Sequence, residues 1–213
     1  MIANEDFTAF VVDDDPAVLR SISRLLGARG YQVATFQSGE EFLNKHQSNA
    51  AGCAILDMCM PGLSGLDIQR KLASAHIDRP IIFLSGASEV PVSVRAMKAG
   101  AIDFLTKPFD AKDLITAVVA AQVNQVRTCE RREMCASVVQ NMELLTPREL
   151  EVLTGVVSGL LNKQIAADLE ISIKTVKVHR SRVMRKMGAR SVVELVRLVT
   201  SIDHMSTAGL SRA

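Results

Sequence analysis

Asp13-Asp14, Asp57, Ser85 and Lys107 each follow a short apolar run: Thr8–Val12, Cys53–Leu56, Pro80–Leu84 and Ile102–Thr106. Carboxylates brought to one point repel each other unless a cation joins them. A few hard oxygens suit Mg²⁺, which keeps its waters and bridges to phosphate. A lysine can stabilise the oxygens of a transferring phosphoryl group, and a serine hydroxyl can donate a hydrogen bond to them. The chemistry these residue types could do together is transfer of a phosphoryl group onto a carboxylate. Asp57 is the expected acceptor. Small and apolar residues deliver it, and Met58-Cys59-Met60-Pro61-Gly62 forces a turn straight after it.

These side chains meet only if the runs before them are strands of one sheet. The first half of the chain supplies that sheet. Strands are expected at 8–12, 31–36, 52–56, 80–84 and 102–106. Helices are expected between them: Asp15-Pro16 and Ser38-Gly39 are start signals, and Gly27–Gly30 and Gly100 are stops. Asp110 caps a last helix carrying Leu114, Val118 and Ala121. Strands alternating with helices argue for a five-stranded, doubly wound parallel sheet of flavodoxin-like α/β type, whose strand carboxyl ends converge.

The chain has 213 residues, with 23% charged and 48% hydrophobic, ordinary values for a soluble globular protein of one or two domains. No apolar run approaches the roughly 20 residues that span a bilayer. The start, Met1 to Asp6, lacks a signal peptide's basic and apolar pattern. A cytoplasmic protein with no membrane partner is expected. Cys53, Cys59, Cys129 and Cys135 lack metal-site spacing and are expected to be free thiols. Charge is uneven: residues 1–120 hold 11 Lys/Arg against 14 Asp/Glu, and residues 143–213 hold 11 against 7. An acidic first half and a basic second half suggest separate partners, the second a polyanion.

Val11-Val12-Asp13-Asp14-Asp15, Leu56-Asp57-Met58-Cys59-Met60-Pro61-Gly62 and Phe104-Leu105-Thr106-Lys107-Pro108-Phe109 resemble the receiver domain of two-component response regulators over about 7–125. The resemblance implies phosphorylation of Asp57 by a sensor histidine kinase. It implies Mg²⁺ held by Asp13, Asp14, Asp57 and the backbone carbonyl of Cys59. It makes Ser85 and Phe104 the switch pair and Lys107-Pro108 a cis peptide. Ser85 stands where Thr is common, and Phe104 lacks the hydroxyl a Tyr would bring. Cys59 and Ala87 would flank the path of attacking water.

Residues 126–142 are largely polar and charged and free of Pro and Gly, with Val126, Cys129 and Val138 loosely at helical intervals. They read equally as a long helix leaving the receiver or as a solvated linker. Beyond them, a small all-α domain is expected over 143–213. Thr146-Pro147-Arg148-Glu149 opens a helix whose buried stripe is Leu150, Leu153, Val157 and Leu160. Asn162 is expected to cap a second helix and Ser172 a third, which ends near Met187. Ser191 caps a fourth. The second and third make a helix-turn-helix. From Ser172 to Arg190 there are seven Lys/Arg and no acid. On an α-helix, Lys174, Lys177, Val178, Ser181 and Arg185 share the face opposite Val176, Val183 and Met187, with Arg182 beside them.

Leu145-Thr146-Pro147-Arg148-Glu149, Asn162-Lys163-Gln164-Ile165-Ala166 and Lys174-Thr175-Val176-Lys177-Val178-His179 resemble the LuxR-type helix-turn-helix. The whole chain is thus similar to FixJ/NarL-type regulators, most of all their FixJ-type branch. The resemblance implies double-stranded DNA as partner. Lys177, Val178 and Ser181 would face base edges, and Thr175, His179, Arg182, Lys186, Asn162 and Lys163 would sit nearer phosphates. It implies a homodimer, formed on phosphorylation or on DNA, with Val192, Leu195, Val196 and Val199 at its contact, and RNA polymerase as a further partner. The expected role is a phosphorylation-switched transcription regulator, not an enzyme. Two other readings fit parts of the chain. A haloacid-dehalogenase-type phosphatase would use Asp13 and Asp15, but Ala17 stands where that family has Thr or Val. A receiver serving only as a fixed dimerisation module would not need Ser85, Lys107 and the acid pair together.

Overall fold

The computed structural model describes residues 4–46, 50–86 and 90–210, with side chains left aside at 90–92 and 202–210. Ala87 lies outside the described residues. The chain divides into two compact units, Met1–Cys129 and Glu130–Ala213.

In the first unit, β1 (Thr8–Val12), β2 (Gln32–Phe36), β3 (Gly52–Asp57), β4 (Ile81–Ser85) and β5 (Asp103–Thr106) form one sheet in the order β2-β1-β3-β4-β5. All pairings are parallel. The chain leaves β1 for β2 on one side and returns to β3 on the other. That switch point opens a crevice at the carboxyl edge between β1 and β3. The helices between the strands are α1 (Pro16–Gly27), α2 (Gly39–Lys45), α3 (Gly65–Ser74) and α4 (Val90–Lys98). Asp15 caps α1 by accepting from the Ala17 N–H, and Ser38 caps α2 by accepting from that of Glu41.

Alternation along the strands sorts their side chains into two layers. Ala9 and Val11, Cys53 and Ile55, and Ile82 and Leu84 pack with Leu19, Ile22, Leu26, Leu114 and Val118. Phe10 and Val12, Ala54 and Leu56, and Ile81 and Phe83 pack with Phe42, Ile68, Leu72 and Ala96. Strands covered on both faces read as continuous apolar runs, and only their ends are free to be polar.

α5 runs unbroken from Ala111 to Glu143. Leu114, Ala117, Val118 and Ala121 belong to the core of the first unit. Val138 and Met142 belong to that of the second, and Cys135 is also buried. Of the two readings of 126–142, the long helix is the one observed, and its last turns form core rather than a solvated linker. Cys135, Val138 and Met142 fall at helical spacing inside a charged stretch that masks them.

The second unit adds α6 (Pro147–Val157), α7 (Asn162–Asp168), α8 (Ile173–Lys186) and α9 (Val192–Leu210) around Val152, Leu153, Val156, Ile165, Val176, Val183, Met187 and Leu195. Thr146 and Glu149 form the expected capping box of α6. Its buried stripe is Val152, Leu153 and Val156, and Leu150 is exposed. α6 has apolar residues nearly all round, so its own pattern could not set which face turns inward. Asn162 is not a cap. The N-cap position is Leu161, whose N–H is met by the Gln164 side chain at 2.7 Å.

Candidate functional site

At the carboxyl edge of the sheet, Asp13, Asp57 and Ser85 are all buried. Lys107 reaches in from the end of β5, and its Nζ donates to Asp13 Oδ2 and to Asp57 Oδ1, each at 2.6 Å. The Asp15 N–H donates to Asp13 Oδ1 at 2.9 Å, and that of Cys59 to Asp57 Oδ2 at 3.0 Å. The Lys107 N–H donates to the Ser85 carbonyl at 2.7 Å, joining β4 and β5 at the same edge. The Lys107-Pro108 peptide is cis, as expected. Gly65, absent from the predicted site, is what lets α3 close beneath Asp57. A Cβ there would lie 2.7 Å from the Asp57 carbonyl and 3.0 Å from the Phe83 ring.

Of the predicted residues, Asp13, Asp57 and Lys107 are in direct contact, and Ser85 is at their edge. Asp14 and Cys59 are exposed, and the Cys59 backbone is the part that touches Asp57. Phe104 is half-buried against the second layer and lines an open depression with Pro108 and Phe109. Among the described residues no three His, Cys, Asp or Glu side chains gather as a metal cluster. Here the ammonium of Lys107 stands between the two buried carboxylates. Two buried carboxylates against one ammonium leave a net negative pocket, with Asp14 at its rim. That donor chemistry suits a hard divalent cation.

Burial pushes the Asp57 carboxyl above its ordinary range; Lys107 offsets part of this, and the charge of Asp13 adds to it. Burial also pulls the Lys107 ammonium down, but the hydrogen bonds it donates to Asp13 and Asp57, with their charges, outweigh this and hold the group above its ordinary value. A carboxyl raised in the folded protein contributes stability fully below the unfolded value of about 3.9, and loses it as pH rises through the folded value. At neutral pH the ionised Asp57 is therefore a cost to the fold. Asp57→Asn is expected to melt above the wild type at neutral pH, with the gap closing as the pH falls toward about 4. Calorimetry across that range checks it; a variant that melts lower at neutral pH sinks the argument.

The second candidate surface is α8, capped by Ser172, whose Oγ accepts from the Thr175 N–H at 3.0 Å. Val176, Val183 and Met187 are buried beneath it. Lys174, Lys177, Val178, Ser181, Arg182 and Arg185 are all exposed, so the predicted face is assembled. Lys163 is exposed on α7, while Thr175 and His179 are half-buried. Two predicted contacts are engaged inside the protein. Asn162 Oδ1 accepts from Arg180 Nη1 at 2.7 Å. Lys186 Nζ donates to Glu149 Oε2 at 2.6 Å and to the Leu144 carbonyl at 2.9 Å. That ammonium, with the Thr146 N–H, holds the Glu149 carboxyl down at about 2.

On α9, Leu195 is fully buried in the domain core, and Val192 and Val199 pack against it. Leu195 is therefore corrected from a dimer contact to a core residue. Val196 is half-buried, and Val193, which periodicity did not single out, is 62% exposed.

Comparison with known proteins agrees with both halves. Residues 9–119 match the family described as response regulator receiver domain, and residues 143–199 match bacterial regulatory proteins, luxR family. The chain is 44% identical over 189 residues to Nodulation protein W of Bradyrhizobium diazoefficiens, covering 89% of this chain and 83% of that one. It is 39% identical over 193 residues to Transcriptional regulatory protein FixJ of Rhizobium meliloti, covering 91% and 95%. The solved structure of the response regulator StyR aligns with a TM-score of 0.74 at 41% identity, covering 92% of this chain and 98% of that one. Full-length FixJ from B. japonicum aligns with a TM-score of 0.57 at 34% identity, covering 92% and 97%.

Proposed function

The chain belongs to the two-component response regulators that join a receiver domain to a LuxR-type DNA-binding helix-turn-helix, and on that premise we propose that Asp57 is its phosphoacceptor and that its phosphorylation controls dimerisation and DNA binding. The observation that carries this reading is the buried contact of Asp57 with Lys107, beside Asp13 and Ser85.

An Asp57 carboxylate oxygen attacks the phosphorus of a phosphohistidine on a sensor histidine kinase. The new bond is P–O, the bond that breaks is P–N, and the imidazole leaves with its electron pair. Lys107 balances the charge of the phosphoryl oxygens, and Ser85 moves to hydrogen-bond one of them. Asp13, Asp14, Asp57 and the Cys59 carbonyl would hold Mg²⁺, which supplies charge neutralisation for the incoming phosphoryl group. The phosphoryl group stays on the protein, so the chain acts as a switch rather than a turnover enzyme. Drawing Ser85 and Lys107 toward a new dianion changes the β4 and β5 ends and frees half-buried Phe104 to move inward.

In the second unit, Lys177, Val178 and Ser181 face base edges, and Lys174, Arg182 and Arg185 meet phosphates. Val193 and Val196 of α9 provide the dimer contact. RNA polymerase is the partner through which bound DNA becomes regulated transcription. Among the described residues no helix is long and apolar enough to cross a membrane, and the cytoplasm, where such kinases and DNA meet, is the assigned compartment.

Footprinting on genomic fragments with and without acetyl phosphate tests the coupling. Protection should appear at roughly tenfold or more lower protein concentration with the phosphodonor, the size of an ordinary coupling free energy. Identical titrations would show that the receiver does not govern DNA binding.

A further inference from the structure

Lys186 lies on the last turn of α8, roughly 100° around the helix from Arg185 at the centre of the exposed basic face. Its ammonium is turned inward, 2.6 Å from Glu149 Oε2 and 2.9 Å from the Leu144 carbonyl. Glu149 is only 2% exposed. Its Oε2 also accepts from the Thr146 N–H at 3.0 Å, while Thr146 Oγ1 accepts from the Glu149 N–H at 3.3 Å. One ammonium therefore closes the capping box of α6. It also reaches the carbonyl directly after the end of α5 and anchors the C-terminal end of α8. At the other end of the unit's polar framework, Arg180 Nη1 ties α8 to Asn162 of α7 at 2.7 Å.

These contacts make Lys186 a poor phosphate ligand. Its charge is already balanced by a carboxylate, and a phosphate drawn near would meet that same negative group. Turning Lys186 outward would leave Glu149 buried and unpaired, the costly way to break such a pair. The exposed cations of the same helix, Lys174, Lys177, Arg182 and Arg185, carry no such penalty.

We propose that Lys186 is a positioning residue for DNA recognition: it keys the C-terminal end of α8 into the α5–α6 junction and meets no phosphate. This rests on the reading that α8 lies against DNA. Because the junction includes the carbonyl that follows α5, displacement of that helix end within the second unit is felt by α8 through one side chain.

Salt dependence separates the two roles, because each phosphate contact adds about 0.9 to the slope of log affinity against log salt. The full-length chain is titrated, with acetyl phosphate constant, against a duplex selected from a random pool by the wild-type protein. Arg182→Ala should flatten the slope by about 0.9 per protomer. Lys186→Met should weaken binding about 10-fold at every salt concentration with the slope unchanged. Glu149→Gln/Lys186→Met removes the buried acid together with its partner, so it keeps the fold even should the single variant lose it, and it should show the same parallel loss. Lys186→Arg, which keeps the donors, should recover most of the affinity. A double variant whose slope falls by about 0.9 puts Lys186 on a phosphate and overturns the proposal. So does a double variant with wild-type affinity, or an Arg variant no better than Met. If Arg182→Ala leaves the slope unchanged, the placement of α8 on DNA fails first and takes the proposal with it.

Discussion

Asp57→Asn is expected to lower incorporation of label from radioactive acetyl phosphate to background, a loss on the order of 10³-fold or more. An amide oxygen is a far weaker nucleophile than a carboxylate, and no other acid takes its place. Asp13 is buried to the same degree, but its two oxygens are held by the Asp15 N–H and by Lys107, and Asp14 points into solvent at the rim. Asp57 is supported in the same way but differs in place: it ends the central strand β3, between β1, which Asp13 follows, and β4, which ends in Ser85. The turn after it puts the Cys59 N–H on one oxygen and Lys107 on the other. This is where charge must be balanced when three more oxygens arrive. Lys107→Met should therefore slow labelling by about 10²-fold while leaving the acceptor intact. Asp13→Asn should slow it without abolishing it. The reverse pattern, with label or phosphomonoester turnover lost in Asp13→Asn and kept in Asp57→Asn, would move the nucleophile to Asp13. It would make the first unit a phosphatase-like domain.

The pocket was legible because parallel strands buried on both faces leave little freedom except at their ends. Each run that stops at a polar residue marks a point on one edge, and the convergence of Asp13, Asp57, Ser85 and Lys107 follows from that. The basic face of α8 was legible for a related reason: Val176, Val183 and Met187 fix which side turns inward, so the opposite side follows by rotation. The sequence failed where a partner on another element decides. Glu149 was visible as a capping residue, but nothing local shows that Lys186, on a different helix, closes on it. Leu195 and Val193 are two positions apart on α9 and equally apolar, and only the packed core tells which is buried. Leu150 was misplaced because α6 is apolar on too many sides. Residues 130–142 were obscured because buried Cys135 and Val138, with half-buried Met142, suffice to dock a helix whose other positions are charged, polar or, as at Met134 and Val139, exposed apolar residues.

A chain carrying Lys174→Ala, Arg182→Ala and Arg185→Ala is expected to bind its selected duplex about 10²- to 10³-fold more weakly at physiological salt, with a slope reduced by about 2.7 per protomer. These three side chains are exposed on the outer face of α8, and Lys186 is the one basic residue of that helix paired with an acid among the described residues. Removing them takes nothing from the core, and Ala favours helix, so the melting temperature of the second unit should hold. Lys177→Ala should behave differently. A lysine that reaches a guanine edge carries sequence information as well as charge. Its loss should narrow the gap between the selected duplex and a scrambled one, whereas the triple variant should weaken both alike. Anisotropy titrations of both duplexes across salt separate the outcomes. An unchanged slope in the triple variant would mean that α8 is a solvated helix and that the cations meeting DNA lie elsewhere on the second unit.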